Sequence, residues 1–255
     1  MTSPDLAAAR LDQILRYPVK GLRPETLAAV DLLAGAALPG DRHFAIAHGR
    51  SAVDPAHPVH VSRRNFLQVA DAPGLVGVGA SVDGVRVRVT HDGRDALLDA
   101  DDAAASAPGY ALLAEAVAGR QPEPFRLVAA AEGAFTDKAE FGLSLIGQAS
   151  LADLEARIGQ PLDRRRFRAN LWVEGWPAWA ELDMVGRSIR IGGARFEVAK
   201  RLDRCIATTA DPDTGERDVP VPQALKRLYG HIECGVLLRV VEPGRITAGD
   251  SVDLV

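Results

Sequence analysis

Apolar and polar positions alternate along this chain in short bursts, and turn residues separate one burst from the next. Val85, Val87 and Val89 alternate with Arg and Thr, the pattern of a strand with one face in a core and the other in water. Residues 11–17 read as an apolar strand ended by Pro18, and residues 26–33 as a second. Pro39-Gly40-Asp41 then turns the chain into a third strand over 43–48. Residues 49–58, rich in Pro, Asp and His, have no period and read as an exposed loop. In the alanine-rich stretch 99–119, Leu112, Leu113, Ala116 and Val117 fall at helical spacing, and the helix is expected to begin after Pro108-Gly109. Residues 121–124, QPEP, are the linker candidate.

The second half opens on a helix for which Ser150 is the expected N-cap, answered by Asp153. Leu151, Leu154 and Ile158 form its stripe, and Gly159 suits a left-handed C-cap. Strands are expected over 168–174, 188–191, 195–200, 206–209 and 235–241, with a short helix over 222–228. Strands outnumber helices and do not alternate with them, which argues against a doubly wound parallel sheet. The predicted fold class is mainly β with a few helices, of the β-barrel type, in two units, 1–125 and 126–255.

Composition narrows the partners. A hydrophobic fraction of 47% and a charged fraction of 25% are those of an ordinary globular chain. A net charge of -4, from 30 basic and 34 acidic residues, argues against nucleic acid as the main partner but leaves small anions open. No apolar run is long enough for a membrane helix, and MTSPDLAAARLDQ lacks the features of a secretory signal, so a cytoplasmic location with no membrane partner is expected. Two cysteines, Cys205 and Cys234, cannot supply a disulfide framework or a four-cysteine iron-sulfur cluster. With no G-x-G-x-x-G fingerprint either, electrons for any redox reaction are expected from an external electron-transfer reductase.

Cys205 sits in AKRLDRCIATTADPDTGERD. Lys200, Arg201 and Arg204 place positive charge near it, which favours thiolate, a soft ligand for a transition metal. Thr208, Thr209 and the polar turn Asp211-Pro212-Asp213-Thr214-Gly215 bring hydroxyl and backbone donors to the same place. For a lone cysteine the residues alone favour a small buried hydrophobe on a strand over a ligand.

RCIATTADPDTG resembles the cysteine motif of the MOSC domain family, including its amidoxime-reducing and bacterial members. Other landmarks of that family follow in order: YPVKGL, GDRHFAI, the ASLADLE helix, RFRANLWVEG and the final AGDSVDLV. The resemblance implies a MOSC N-terminal β-barrel domain packed on a MOSC β-barrel domain. It also implies a molybdenum cofactor (molybdopterin) whose metal is bound by Cys205, the catalytic residue. Lys20, Arg42, Arg168, Asn170, Arg204, Thr208 and Thr209 become the cofactor-binding candidates. The implied activity is reduction of N-hydroxylated small molecules; the alternative is a carrier that moves cofactor or sulfur through a Cys205 persulfide, and a third reading is a barrel that only binds a phosphorylated ligand. Gly21, Ala169 and Asp203 depart from the family pattern, which has Ser, Pro and Ser there. A carboxylate at Asp203 is unfavourable beside an anionic cofactor unless Arg201 or Arg204 pairs with it.

Other signals are weaker. His57 and His60 form an HxxH pair without an acidic or cysteine partner at zinc spacing. Trp172, Trp176 and Trp179 suit core or rim packing better than a substrate wall, Cys234 reads as structural, and 163–166 as solvated charge.

Overall fold

The computed structural model describes residues 9–54, 62–131, 133–136 and 142–255; His57 and His60 lie outside them. Fifteen strands and three α-helices are found among these residues. In chain order they are β1 (Arg10–Arg16), β2 (Glu25–Leu27), β3 (Ala29–Leu32), β4 (Phe44–Ala47), β5 (Gly79–Asp83), β6 (Arg86–His91), β7 (Arg94–Asp99), α1 (Ala107–Val117), β8 (Arg126–Ala129), β9 (Leu143–Gly147) and α2 (Gln148–Ile158). There follow β10 (Leu171–Glu174), β11 (Ser188–Ile191), β12 (Ala194–Asp203), α3 (Val221–Tyr229), β13 (Glu233–Glu242), β14 (Gly244–Thr247) and β15 (Val252–Leu254).

The chain is mainly β, as its patterning predicts, but no closed barrel is found among the described residues. Eight strands form one sheet in the order β15-β11-β12-β13-β9-β10-β1-β2, and β14-β3, β4-β8 and β5-β6-β7 form small ones. The large sheet curls until its ends touch: Leu11 N–H donates to Asp250, Gly249 N–H to Leu11 and Val252 N–H to Ala9, without a ladder to seal it. β1 lies between β10 and β2, and β3 pairs with β14, so the opening of the chain is woven into strands from its second half.

Alternation on these strands fills two cores at once. Leu145, Leu171 and Val173 face one cluster with Leu11, Phe196 and Leu238. Ile146 and Trp172 face the opposite one with Tyr17, Leu154, Phe167, Leu225 and Cys234, under α2 and α3. A third core joins Val87 and Val89 of β6 to Leu113 of α1, Phe44 and Leu67, and takes in Ala210 from the cysteine segment. Val85, the first member of the alternating set, is exposed.

Several local expectations change. Pro108 sits inside the first turn of α1, where its missing N–H has no helical partner to lose. The expected strand over 26–33 is split into β2 and β3 at Ala28. The linker candidate is packed, with Gly49 N–H donating to the Pro122 carbonyl at 2.7 Å. α2 is capped at Gly147, and Ser150 instead donates to buried Glu181 at 2.8 Å and accepts from Trp179 N–H. Asp153 accepts from the Trp179 indole and the Tyr229 hydroxyl, joining α2 to α3.

The cysteine segment docks on the N-terminal part at a backbone contact. Gly215, in the left-handed region at φ 74°, lies so close to Gly74 that a Cβ on Gly215 would meet the Gly74 Cα at 2.9 Å. A Cβ on Gly74 would in turn meet the Ala116 carbonyl of α1 at 2.4 Å. Gly74→Ala is therefore expected to cost about 1–3 kcal/mol through overpacking, read from urea unfolding; an unchanged midpoint would show that the three segments are not in this contact.

Candidate active site

The sequence from Phe167 to Asn170 has to turn sharply between the 3-10 turn Arg164–Phe167 and β10, and Arg168 makes the turn with φ 52°. Arg42, after the Gly40 turn, has φ 51°. Side chains other than glycine seldom adopt this conformation, and where they do it is often at a functional site. The two arginines meet: an Arg42 guanidinium N–H donates to the Arg168 carbonyl at 3.2 Å. Both guanidinium carbons lie over the ring of Tyr17, at 4.8 Å for Arg42 and 4.3 Å for Arg168.

Asp41 fixes this arrangement from below. One of its oxygens accepts from the Tyr17 N–H at 2.7 Å and the other pairs with Arg42. Arg42 N–H donates to the Tyr17 carbonyl and Lys20 N–H to the Phe44 carbonyl, so YPVKGL and GDRHFAI are neighbouring extended segments. Tyr17 itself is fully buried, and its hydroxyl has no hydrogen-bond partner among the described residues. Burial pushes its pKa up to about 12, against the pull of Arg168 and Arg42. An unsatisfied buried hydroxyl costs about 1–3 kcal/mol.

Arg204 is the third cation of the group. It is buried, donates through Nε to the Cys234 carbonyl at 2.7 Å, and through a terminal nitrogen to the Phe167 carbonyl at 2.9 Å. Burial draws its pKa below the ordinary guanidinium value, while Cys234, Cys205, Tyr17 and Glu181 act in the other direction. Cys205, the next residue, is exposed, whereas Cys234 is buried and its thiol is pushed up to about 12 by that burial. Lys200 and Arg201 do not share Arg204's position: Arg201 pairs with Glu233 and Asp183. Among the described residues neither Arg201 nor Arg204 forms an ion pair with Asp203, which stays exposed.

After Cys205 the expected strand is a 3-10 turn, Ile206–Thr209. Thr208 and Thr209 account for the difference, because their hydroxyls donate back to the Cys205 and Ile206 carbonyls at 2.9 and 2.7 Å and so favour a tight turn over a ladder. Beside this turn lies a small open cleft whose lining includes Arg23, Val69, Arg165, Arg166, Arg168 and Ala207. Both halves of the chain contribute to it, and Ala207 follows Cys205 by two residues.

The candidate residues thus divide into two groups. Arg42, Arg168 and Arg204 gather around Tyr17, and Arg168 also lines the cleft. Lys20 is buried, with its ammonium donating to the Phe135 carbonyl at 2.9 Å. Asn170 is built into the sheet: its side-chain oxygen accepts from the Ser144 N–H and hydroxyl, and its amide donates to the Leu15 carbonyl. Thr208 and Thr209 use their hydroxyl protons inside the turn.

Two features were missed in the sequence. The run 163–166 is not solvated charge, since Arg166 is buried on Asp218 and Asp211 while Arg165 takes Asp163 and Asp213. Arg217 reaches the Ile206 carbonyl and the Thr209 hydroxyl at 2.8 Å each, and the Ala70 carbonyl of the N-terminal part at 2.8 Å. Ten arginines and six aspartates within 163–218 were the available signal, but their pairing depends on the turn. Among the described residues no group of three or more His, Cys, Asp or Glu side chains is placed to hold a metal ion. No helix there is long and apolar enough to cross a membrane.

Fold and site define a mainly β protein that presents a single exposed thiol beside an arginine-lined cleft. Residues 132–253 match the family model described as the MOSC domain, and this part of the chain belongs to the MOSC domain family. It is similar to a protein named mitochondrial amidoxime-reducing component 1 from Homo sapiens, 32% identical over 133 residues, which are 48% of this chain and 38% of that protein. A protein named mitochondrial amidoxime reducing component 2 from Bos taurus is 34% identical over 85 residues, 33% of this chain and 25% of that one. The chain therefore spans well under half the length of these curated relatives. Among solved structures, the YuaD protein from Bacillus subtilis aligns over 96% of this chain and 94% of its own, with 13% identity and a TM-score of 0.45.

The ties around Cys205 carry two expected outcomes. Arg166 holds the Asp218 carboxyl below the usual carboxylate range, so the stability this pair contributes is present above the unfolded-state value and is lost as pH falls through the folded one. The gap in urea midpoint between wild type and Asp218→Asn should be open at pH 7 and close as the pH drops below the ordinary carboxylate range; a gap that persists there contradicts the pairing. Arg217→Ala should speed amide exchange over 206–210 with little change elsewhere, and equal exchange would remove Arg217 from the list of residues that fix the turn.

Proposed function

We propose that this chain holds a molybdenum cofactor through Cys205 and is an oxidoreductase that reduces N-hydroxylated small molecules with electrons from an external reductase. The observation that carries the reading is the exposure of the Cys205 thiol beside a cleft lined by Arg23, Arg165, Arg166 and Arg168. The similarity of 32% to a relative named as amidoxime-reducing supports the substrate class.

The residues present fit such a group. A lone accessible thiolate is a soft donor for one position on a transition metal, leaving the rest of the coordination to the cofactor. Guanidinium groups bind phosphate through paired N–H donors, and the Tyr17 hydroxyl is a buried donor without a protein acceptor among the described residues. The cofactor, when bound, supplies the two-electron reduction.

The chain's own residues bind and orient. Cys205 would hold the metal through its thiolate. Arg42 and Arg168 would meet the phosphate and pterin, with Lys20 adding positive potential from its place at Phe135. Arg204 acts from beneath by fixing the Cys234 and Phe167 carbonyls, while Thr208, Thr209 and Arg217 keep the turn after the thiol rigid. Asn170 would contribute by holding β1 to the start of β10. In this reading residues 1–125 form the N-terminal module and 126–255 the MOSC domain, with the ligand taken where the two meet.

Expression in a host that makes the cofactor tests the reading. Close to one molybdenum per chain and reduction of benzamidoxime that needs an added reductase are expected; protein without molybdenum and without reduction overturns it. A Cys205 persulfide without reduction would favour a sulfur carrier instead. Cys205→Ala should abolish reduction while pterin still binds, more weakly, whereas Cys234→Ala should keep activity and cost about 1 kcal/mol in packing. Full reduction by the Cys205 variant would end its assignment as ligand.

A further inference from the structure

We infer that Tyr17 is a ligand-binding residue whose hydroxyl donates a hydrogen bond to an anionic oxygen of the phosphate-bearing pterin held beside Arg42, Arg168 and Arg204. The inference rests on the cofactor reading above and adds to it a residue that no motif of charges or thiols would select.

Three observations converge on it. The Tyr17 side chain has no exposed surface, yet its hydroxyl finds no partner among the described residues, although its backbone N–H and carbonyl are both satisfied, by Asp41 and Arg42. If packing were its only task, phenylalanine would fill the same space without an unsatisfied polar atom. Next, two arginines in left-handed backbone conformations place their guanidinium groups over this one ring, and one of them lines the cleft. Last, the guanidinium groups of Arg168, Arg42 and Arg204 act on the phenol, and the nearby carboxylate of Asp41 is already engaged by Arg42 and the Tyr17 N–H. A field of that sign selects an acceptor carrying negative charge over a neutral one. Burial keeps the phenol protonated, and therefore a donor, throughout the physiological range.

Tyr17→Phe removes the donor and keeps the ring beneath the guanidinium groups. The variant and wild type are expressed in a cofactor-competent host and in one that cannot make the cofactor. Pterin per chain is measured by fluorescence after oxidative release from the first, and melting temperature on the apo protein from the second. Expected are a fall in pterin retained after dialysis, corresponding to about tenfold weaker binding, and an apo melting temperature equal to or above that of wild type. Wild type loaded and Tyr17→Phe loaded equally would overturn this inference alone and point to a structural water on the hydroxyl. A variant that loses pterin together with a lower apo melting temperature would also overturn it, by assigning Tyr17 a structural role. Wild type without pterin would instead overturn the cofactor reading and the inference with it.

Discussion

A buried guanidinium decides how the cysteine is presented. Enclosing the Arg204 charge is costly unless its donors are met, and the Cys234 and Phe167 carbonyls meet them. The backbone at Cys205 is extended, with φ -110° and ψ 178°, so successive side chains point to opposite sides. With Arg204 drawn inward, Cys205 is turned outward. The same guanidinium holds the carbonyl that precedes Arg168, and so the turn that brings Arg168 over Tyr17 depends on it too.

Around this centre the arginines fall into two sets with different partners. Arg164, Arg165 and Arg166 are taken up by Asp12, Asp163, Asp213, Asp211 and Asp218, which fasten the start of β1 and the Asp211–Gly215 turn. Arg42, Arg168 and Arg204 gather instead around Tyr17, where Arg42 also pairs with Asp41 and donates to the Arg168 carbonyl, and Arg204 donates to the Cys234 and Phe167 carbonyls.

What the sequence reveals follows from the range of the forces involved. The alternation in β6, the left-handed cap at Gly159 and the bounds of α3 are local matters and are legible. The turn Ile206–Thr209 is not, because Ile-Ala-Thr-Thr has strand-like composition and only the back-bonded hydroxyls tip it into a 3-10 turn. Ser150 resembles a cap until Glu181, distant in sequence, competes for its hydroxyl. At the site, the family resemblance made Arg168 and Asn170 look equivalent, yet one side chain lies over Tyr17 at the cleft and the other is a staple inside the sheet. Tyr17 stands in the YPVKGL landmark, but its orphaned hydroxyl was not legible there, since that is a property of surroundings and not of spelling.

The weaving of β1 into the large sheet also bears on how the chain is made. One edge of β1 is covered early by β2, but the other awaits Leu171 to Glu174, and its first residues touch Gly249 to Val252. At ordinary rates of synthesis, β10 leaves the ribosome on the order of ten seconds after β1. During that interval Leu11 and Ile14, which end fully buried, belong to a half-paired ribbon. Until β10 emerges the nascent chain therefore carries an open, apolar strand edge, the form of exposure that chaperones that bind unfinished chains are suited to cover.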